Sequence, residues 1–258
     1  MKVRIKFTKA GPLKFIGHLD VMRYFQKAFR RAQFDVEYSQ GFSPHQIMSF
    51  AAPLGVGITS DGEYLDVSLN SCDAPEVMIK RANEVMNEYI RVVDFKILGD
   101  NSKNAMSIVV GADYLVSLKD GYEFMDKQSF QDNFMKFYQQ DRIVITKKSK
   151  KSENEVDIKP MIYHVAFDKD EFQKLTGSQS KKQTNASVAD VYHNGIIVYM
   201  QLATGSVNNL KPELVMEAFF KYMGKEYRES AFAVHRLDIY ADLGNDKNRK
   251  LVPLSEVS

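Results

Sequence analysis

The sequence predicts an α+β fold of two tandem ferredoxin-like (split βαβ) domains, antiparallel sheets with helices on one face, and three observations carry that reading. The chain has 258 residues, 44% hydrophobic and 26% charged, close to globular averages and, at about 150 residues per domain, long enough for two cores. Period-2 and helical patterns follow one another in the order βαββαβ over residues 1–98. After the polar stretch Gly99 to Asn104, strands and helices resume in a similar order. The expected layout is a first domain at 1–98 with a basic first strand and helix, a second, embellished domain at 105–245, and a tail at 246–258.

The elements follow in chain order. Val3, Ile5 and Phe7 alternate with Lys2, Arg4 and Lys6, the pattern of a strand buried on one face and basic on the other. After the turn Ala10-Gly11-Pro12, Val21, Phe25, Ala28 and Ala32 recur at helical spacing between His18 and Gln33, while Arg23, Lys27, Arg30 and Arg31 fall on another face. Ser39 to Pro44 reads as a loop, and Ile47 to Ala52 as a strand that Pro53 ends or forces to an edge. Gly55 and Gly57 loosen the next connection. Leu65, Val67 and Leu69 alternate as a strand, Ala74 to Tyr89 forms a helix with Pro75 in its first turn, and Arg91 to Leu98 closes the unit.

The second half opens with a strand over Ser107 to Leu118 and a helix carrying Phe130, Phe134, Phe137 and Tyr138. Strands at Arg142 to Thr146 and Val156 to Val165 flank a polar hairpin tip, Lys147 to Asn154, and Leu175 to Ala189 reads as a loop expected to be mobile. Asn194-Gly195 precedes a strand through Leu202, Pro212 starts a helix to Met223, and Ala233, His235, Leu237 and Ile239 form a last strand. No repeat relates the halves, so the duplication rests on element order.

The 35 Lys and Arg against 33 Asp and Glu leave a net charge of +2, which excludes a general polyanion magnet but not a local patch. Through Phe34 the chain carries nine basic residues (Lys2, Arg4, Lys6, Lys9, Lys14, Arg23, Lys27, Arg30, Arg31) against one acid, Asp20. Such an excess suits phosphates, because each cation that displaces condensed counterions adds affinity. The plainer alternative is a solvated helix face beside a strand neutralised by its neighbours. Phe7 is in register with Val3 and Ile5, so the polar side of that strand has no stacking rings; backbone or folded-RNA contact is favoured over an RRM-type platform.

His18 at a turn-to-helix junction and His45 in the loop after the helix come to one end of a βαβ sheet, with Ser43 and Ser49 nearby. Imidazoles there serve acid–base chemistry or contact phosphate; otherwise His18 caps the helix and His45 orders its loop. His18 and Asp20 share no helix face, and no other cluster has metal-ligand spacing, so neither metal nor cofactor is expected in this chain. Lone Cys72 excludes a disulfide framework, a cysteine zinc site and a self-contained iron–sulfur cluster, and beside Asp73 it is expected to be inert. Gly55-Val56-Gly57 lacks the rest of a phosphate loop, and no Gly-x-Ser-x-Gly elbow occurs. No apolar run approaches the ~18 residues of a membrane span, and MKVRIKFTK alternates charge with hydrophobe, so a cytoplasmic protein is expected.

The segments Gly11-Pro12-Leu13-Lys14-Phe15, Gly17-His18-Leu19-Asp20, Arg30-Arg31, Gln40-Gly41-Phe42-Ser43-Pro44-His45, Ser49-Phe50-Ala51 and Gly62-Glu63-Tyr64-Leu65-Asp66 together resemble the radical SAM-linked protein family, an uncharacterised bacterial domain of unknown function. A fainter match at Val156 to Pro160 and Asn209 to Leu214 extends the resemblance across most of the chain. Gln46 and Ile47 stand where that family usually has Pro and Lys. The resemblance implies a partner, because members are encoded beside radical SAM proteins or fused to their C-terminus. That partner would carry the iron–sulfur cluster and S-adenosylmethionine, since one cysteine cannot supply three thiolates. The expected function is a non-catalytic accessory or substrate-presenting protein, with RNA as substrate class. Lys14, His18, Arg23, Lys27, Arg30, Arg31, Gln40, Phe42, Ser43, His45 and Ser49 are the expected RNA or partner contacts. The alternatives are a metal-independent endoribonuclease using His18 or His45, by fold analogy with CRISPR RNA-processing proteins, and a protein-interaction module without nucleic acid.

Overall fold

In the computed structural model, which describes residues 1–148, 153–177, 187–244 and 248–257, the chain divides into two units. The first comprises Met1–Val110, Ser180–Ala189 and His235–Ser258; the second comprises Gly111–Gln179 and Asp190–Val234.

The first unit starts with β1 (Lys2–Lys9), a short 3-10 turn at Gly11–Phe15 and α1 (His18–Arg31). The apolar stripe of α1 is buried, and Phe25 sits 4.6 Å from Phe7 and 5.9 Å from Phe50, ring centre to ring centre. Burial of each such ring contributes about 1.5–3 kcal/mol. The helix ends because Gln33 takes a left-handed backbone (φ 54°), letting the Phe34 amide reach the Phe29 carbonyl at 2.9 Å. Next come β2 (Asp35–Val36), β3 (Met48–Phe50), β4 (Thr59–Ser71), α2 (Pro75–Val85) and β5 (Ile90–Ile97). α2 stops short of Tyr89, since the Asn87 side-chain oxygen accepts from the Tyr89 and Ile90 amides, an Asx turn that competes with the helix. The one-turn α3 (Ala105–Ile108) is capped by Asn104.

The second unit holds most of β6 (Val109–Leu118), then α4 (Lys127–Tyr138), the hairpin β7 (Val144–Lys148) with β8 (Glu153–Asp157), β9 (Ile162–Ala166), α5 (Lys169–Thr176), β10 (Ile197–Ala203) and α6 (Pro212–Tyr222). The phenylalanine stripe of α4 is core: Phe219 of α6 lies 5.6, 4.9 and 5.6 Å from Phe130, Phe134 and Phe137. Asp168 caps α5 by accepting from the Glu171 amide, and Gly177 (φ 64°) ends it. This helix begins before the expected loop and runs into it; residues 178–186 of that loop and 149–152 of the hairpin tip lie outside the described residues. The chain ends with β11 (Phe232–Asp242) and β12 (Leu251–Pro253), which pair antiparallel.

Among the described residues the strands form one 10-stranded mixed sheet in the order β5-β1-β4-β11-β6-β10-β9, with β2, β3 and β12 attached, and there are six α-helices. The expectation of two discrete, antiparallel ferredoxin-like (split βαβ) domains is therefore corrected. The departure centres on β11, whose His235 and Arg236 pair in parallel with Thr59 and Ser60 of β4. The two strands approach so closely that a Cβ at Gly62 would stand 2.8 Å from the Leu237 carbonyl oxygen, which is why glycine is needed there.

A second correction concerns β1. Its basic face is interior: Arg4 donates to Asp66 at 2.8 and 3.1 Å, and the Lys6 ammonium lies 2.7 Å from Asp238. Lys9 is buried as well, donating to the Ile16 carbonyl at 3.1 Å. A charged group in a sheet interior is costly unless it is paired and hydrogen-bonded. Arg4 and Lys6 are both, whereas Lys9 has carbonyl acceptors and the field of Glu63, and burial lowers its pKa. Among the described residues, no helix is long and apolar enough to cross a membrane.

Candidate nucleic-acid interface

With Arg4 and Lys6 ion-paired and Lys9 buried inside the first unit, the exposed positive charge of the N-terminal region lies on α1. Arg23, Lys27, Arg30 and Arg31 are all exposed, one to two turns apart, opposite the buried Val21, Phe25, Ala28 and Phe29. At 1.5 Å per residue the stripe is about 12 Å long, room for several phosphates of one strand. Arg23 pairs with Asp20 at 3.3 Å, but both side chains are well over half exposed, and such a pair is worth only ~0–1 kcal/mol. Among the described residues, no acid lies within ion-pair distance of Lys27, Arg30 or Arg31. The helix dipole accounts for cations in the last turn, hence for Arg30 and Arg31, but not for Arg23 and Lys27. Lys14 is half-buried, its ammonium 5.5 Å from the Phe15 ring.

Beside this helix stands the loop between β2 and β3. The His45 Nδ1 and Ser39 Oγ are 2.8 Å apart, the His45 amide donates to the same hydroxyl, and the Ser39 amide donates to the His45 carbonyl. His45 therefore orders the loop. Gln46, buried beneath it, donates to the Gln26 carbonyl at 3.4 Å and to Tyr38 Oη at 3.3 Å, tying the loop to α1. Above that anchor Gln40, Phe42, Ser43 and His45 are exposed, Phe42 completely so, where Gly41 (φ 109°) turns the chain. Ser49 instead exchanges hydrogen bonds with Asn104. His18 does not cap α1, since Gly17 holds that position; its ring meets Phe50 edge-on at 5.0 Å, and burial lowers its pKa, favouring the neutral imidazole. Among the described residues, no carboxylate bonds either histidine, so the His45–Ser39 contact has no acid to orient and charge it as a base–nucleophile pair requires.

The sequence reading missed the charged groups between β4 and β11. His235 Nε2 is 3.1 Å from Asp61 Oδ2 and 3.5 Å from Ser187 Oγ, and its Nδ1 is 2.8 Å from Thr59 Oγ1. Asp61 and the Thr59 hydroxyl sit on opposite ring nitrogens, as in a nucleophilic relay, but Thr59 and His235 are each 3% exposed, so the hydroxyl is closed to a substrate and the group is a structural knot. Its signal was the run Asp61, Glu63 and Asp66 in one strand facing His235, Arg236 and the lysines of others. Burial pushes the Asp61 carboxyl up, but His235, Ser187 and the Val188 amide outweigh it and hold the carboxyl below its ordinary value. A depressed carboxyl contributes stability that is present above its unfolded pKa of about 3.9 and lost as pH falls through the folded value. Asp61→Asn should therefore lower the urea midpoint more at pH 7 than at pH 3; an equal loss at both would show that the charge is not what matters.

Among the described residues, no group of three or more His, Cys, Asp or Glu is placed to hold a metal ion. A family model described as "Uncharacterized protein conserved in bacteria (DUF2344)" matches residues 2–212, and the chain belongs to that family. No curated protein matches it. Among solved structures it is similar to a chain of "Crystal Structure of a Cbf5-Nop10-Gar1 Complex", with 9% identity and a TM-score of 0.44 over 92% of this chain and 48% of that one. It thus spans about half the length of that chain, and a likeness of this size carries no argument about function.

Proposed function

We propose that this member of the DUF2344 family is a non-catalytic, cytoplasmic accessory protein that holds structured RNA along α1 and presents it to a separate radical SAM enzyme. The observation that carries the reading is the exposed stripe Arg23, Lys27, Arg30 and Arg31 on a rigid helix, with the bare Phe42 ring tied alongside it. Cations supply sequence-independent phosphate affinity, and an exposed ring at a loop tip stacks on an unpaired base. The partner rests on the sequence resemblance and on the single cysteine, Cys72, with which these 258 residues cannot hold the cluster themselves. Loops on a rigid scaffold commonly hold function, and Gln40 to His45 is the surface proposed to meet that partner.

Filter binding of a structured RNA across a salt series tests the first half. Four phosphate contacts should give a log–log slope of about −3, and binding indifferent to salt would sink the RNA reading. The same RNA kept with the protein and a chelator should stay intact. Cleavage that disappears in His18→Ala or His45→Ala would replace the accessory role by an endoribonuclease. For the second half, purification from the native host should recover a radical SAM protein with the wild-type chain and less with a His18→Ala, His45→Ala double variant of unchanged melting temperature. No radical SAM protein in the wild-type preparation would count against a stable complex.

A further inference from the structure

We propose that the second unit carries a nucleotide pocket of its own, which takes a nucleobase against Phe124 and Phe232 and its phosphate on Lys225 and Arg228. This goes beyond the α1 interface and rests on different residues. A cavity of about 400 Å³ opens between the turn after β6 and the turn after α6, within the size range of small-ligand sites. Its floor is aromatic: Phe124 and Phe220 lie 4.9 Å apart, and Phe220 meets Phe232 edge-on at 5.7 Å. Bases stack on such rings without regard to sequence.

The rim supplies the charge, and backbone geometry fixes it. α6 ends with Gly224 (φ 64°), the Gly224 amide donating to the Lys221 carbonyl at 3.1 Å and the Lys225 amide to the Phe220 carbonyl at 2.9 Å. That closure holds Lys225 at the mouth, its ammonium 5.8 Å from the Phe124 ring centre. Arg228 stands on the same rim, its nearest acid Glu226 at 3.9 Å with both side chains at least 70% exposed, a loose pair that a phosphate can replace with a two-pronged one. The other rim acid, Glu123, is already engaged, accepting the Gly121 amide on both oxygens at 3.1 and 2.9 Å. Rings below and cations at the edge, with Glu123 engaged and the solvated Glu226 free to turn outward, match a planar base that carries a phosphate.

The phosphate-bearing base could be a free mononucleotide or one residue of an RNA, and the test separates them. Titration of the whole protein with AMP, followed by calorimetry, should show saturable binding, weakened about 10-fold or more by Phe124→Ala. Because Phe124 packs on Phe220, Lys225→Gln with Arg228→Gln serves as the variant that leaves the core intact; it should weaken AMP while sparing adenosine. Tighter binding of a short oligoadenylate than of AMP assigns the pocket to RNA, and the reverse assigns it to a free nucleotide. An Arg23→Glu, Arg30→Glu, Arg31→Glu protein should bind AMP unchanged, so that failure here and failure at α1 are told apart. No binding of either probe, or binding indifferent to both pocket variants, overturns the proposal.

Discussion

Arg236→Met is expected to destabilise the protein by about 3–5 kcal/mol, the usual effect of removing one partner from a buried ion pair. Arg236 is buried in β11, donating to Glu63 at 2.8 and 3.1 Å and to the Ala52 carbonyl at 3.2 Å. Methionine matches its apolar length but strands the Glu63 carboxylate in the sheet interior, with the Lys9 charge its remaining counterweight. Against a total stability of about 5–15 kcal/mol such a loss is severe, and it should appear as a lower urea midpoint. The double variant Arg236→Met, Glu63→Met should recover most of the loss, because the pair as a whole contributes little net stability. A single variant that loses less than about 1 kcal/mol would mean that water reaches Glu63 and that the strand contact is looser than it looks.

That pair also shows where the sequence stops being legible. The helix α1 and the stripe Phe130, Phe134 and Phe137 could be read directly, because their periodicity is local and the faces it predicts are the faces buried. The alternation Lys2, Val3, Arg4, Ile5, Lys6 gave the strand but the wrong environment for its polar side, since the acids that neutralise Arg4 and Lys6 come from β4 and β11, far along the chain. No local pattern announces that β11 runs parallel to β4, and with it the expectation of two separate sheets fell. α5 was invisible for a different reason: Phe172 is its one buried side chain, so there is no apolar period to detect. In the candidate interface the exposed cations of α1 and the loop at Phe42 were legible from charge and from Gly, Ser and Pro content. The positions of His18 against Phe50 and of Ser49 against Asn104 were not, because each depends on a neighbour that only the fold supplies.

If α1 is the RNA surface, Arg23→Glu, Arg30→Glu, Arg31→Glu should reduce RNA affinity by about 100-fold or more, taking about 1 kcal/mol per cation at an anionic surface and 1.4 kcal/mol per tenfold. The salt dependence should fall at the same time, by about 0.7–0.9 of a unit of slope per lost phosphate contact, hence by about two to three units, leaving the Lys27 contribution. All three side chains are exposed, yet glutamates in the last turn of α1 oppose the helix dipole and cost about 0.3–1 kcal/mol each, so a loss of binding alone would leave folding as an explanation. The glutamine version of the same three positions removes the charge without that penalty and should show the same direction with a smaller loss. Phe42→Ala divides the interface further: a ring that stacks on a base adds affinity without displacing counterions, so its removal should weaken binding while the slope stays at the wild-type value. Wild-type affinity and slope in both triple variants, with melting temperatures unchanged, would show that the stripe is only a solvated helix face and that any RNA is held elsewhere.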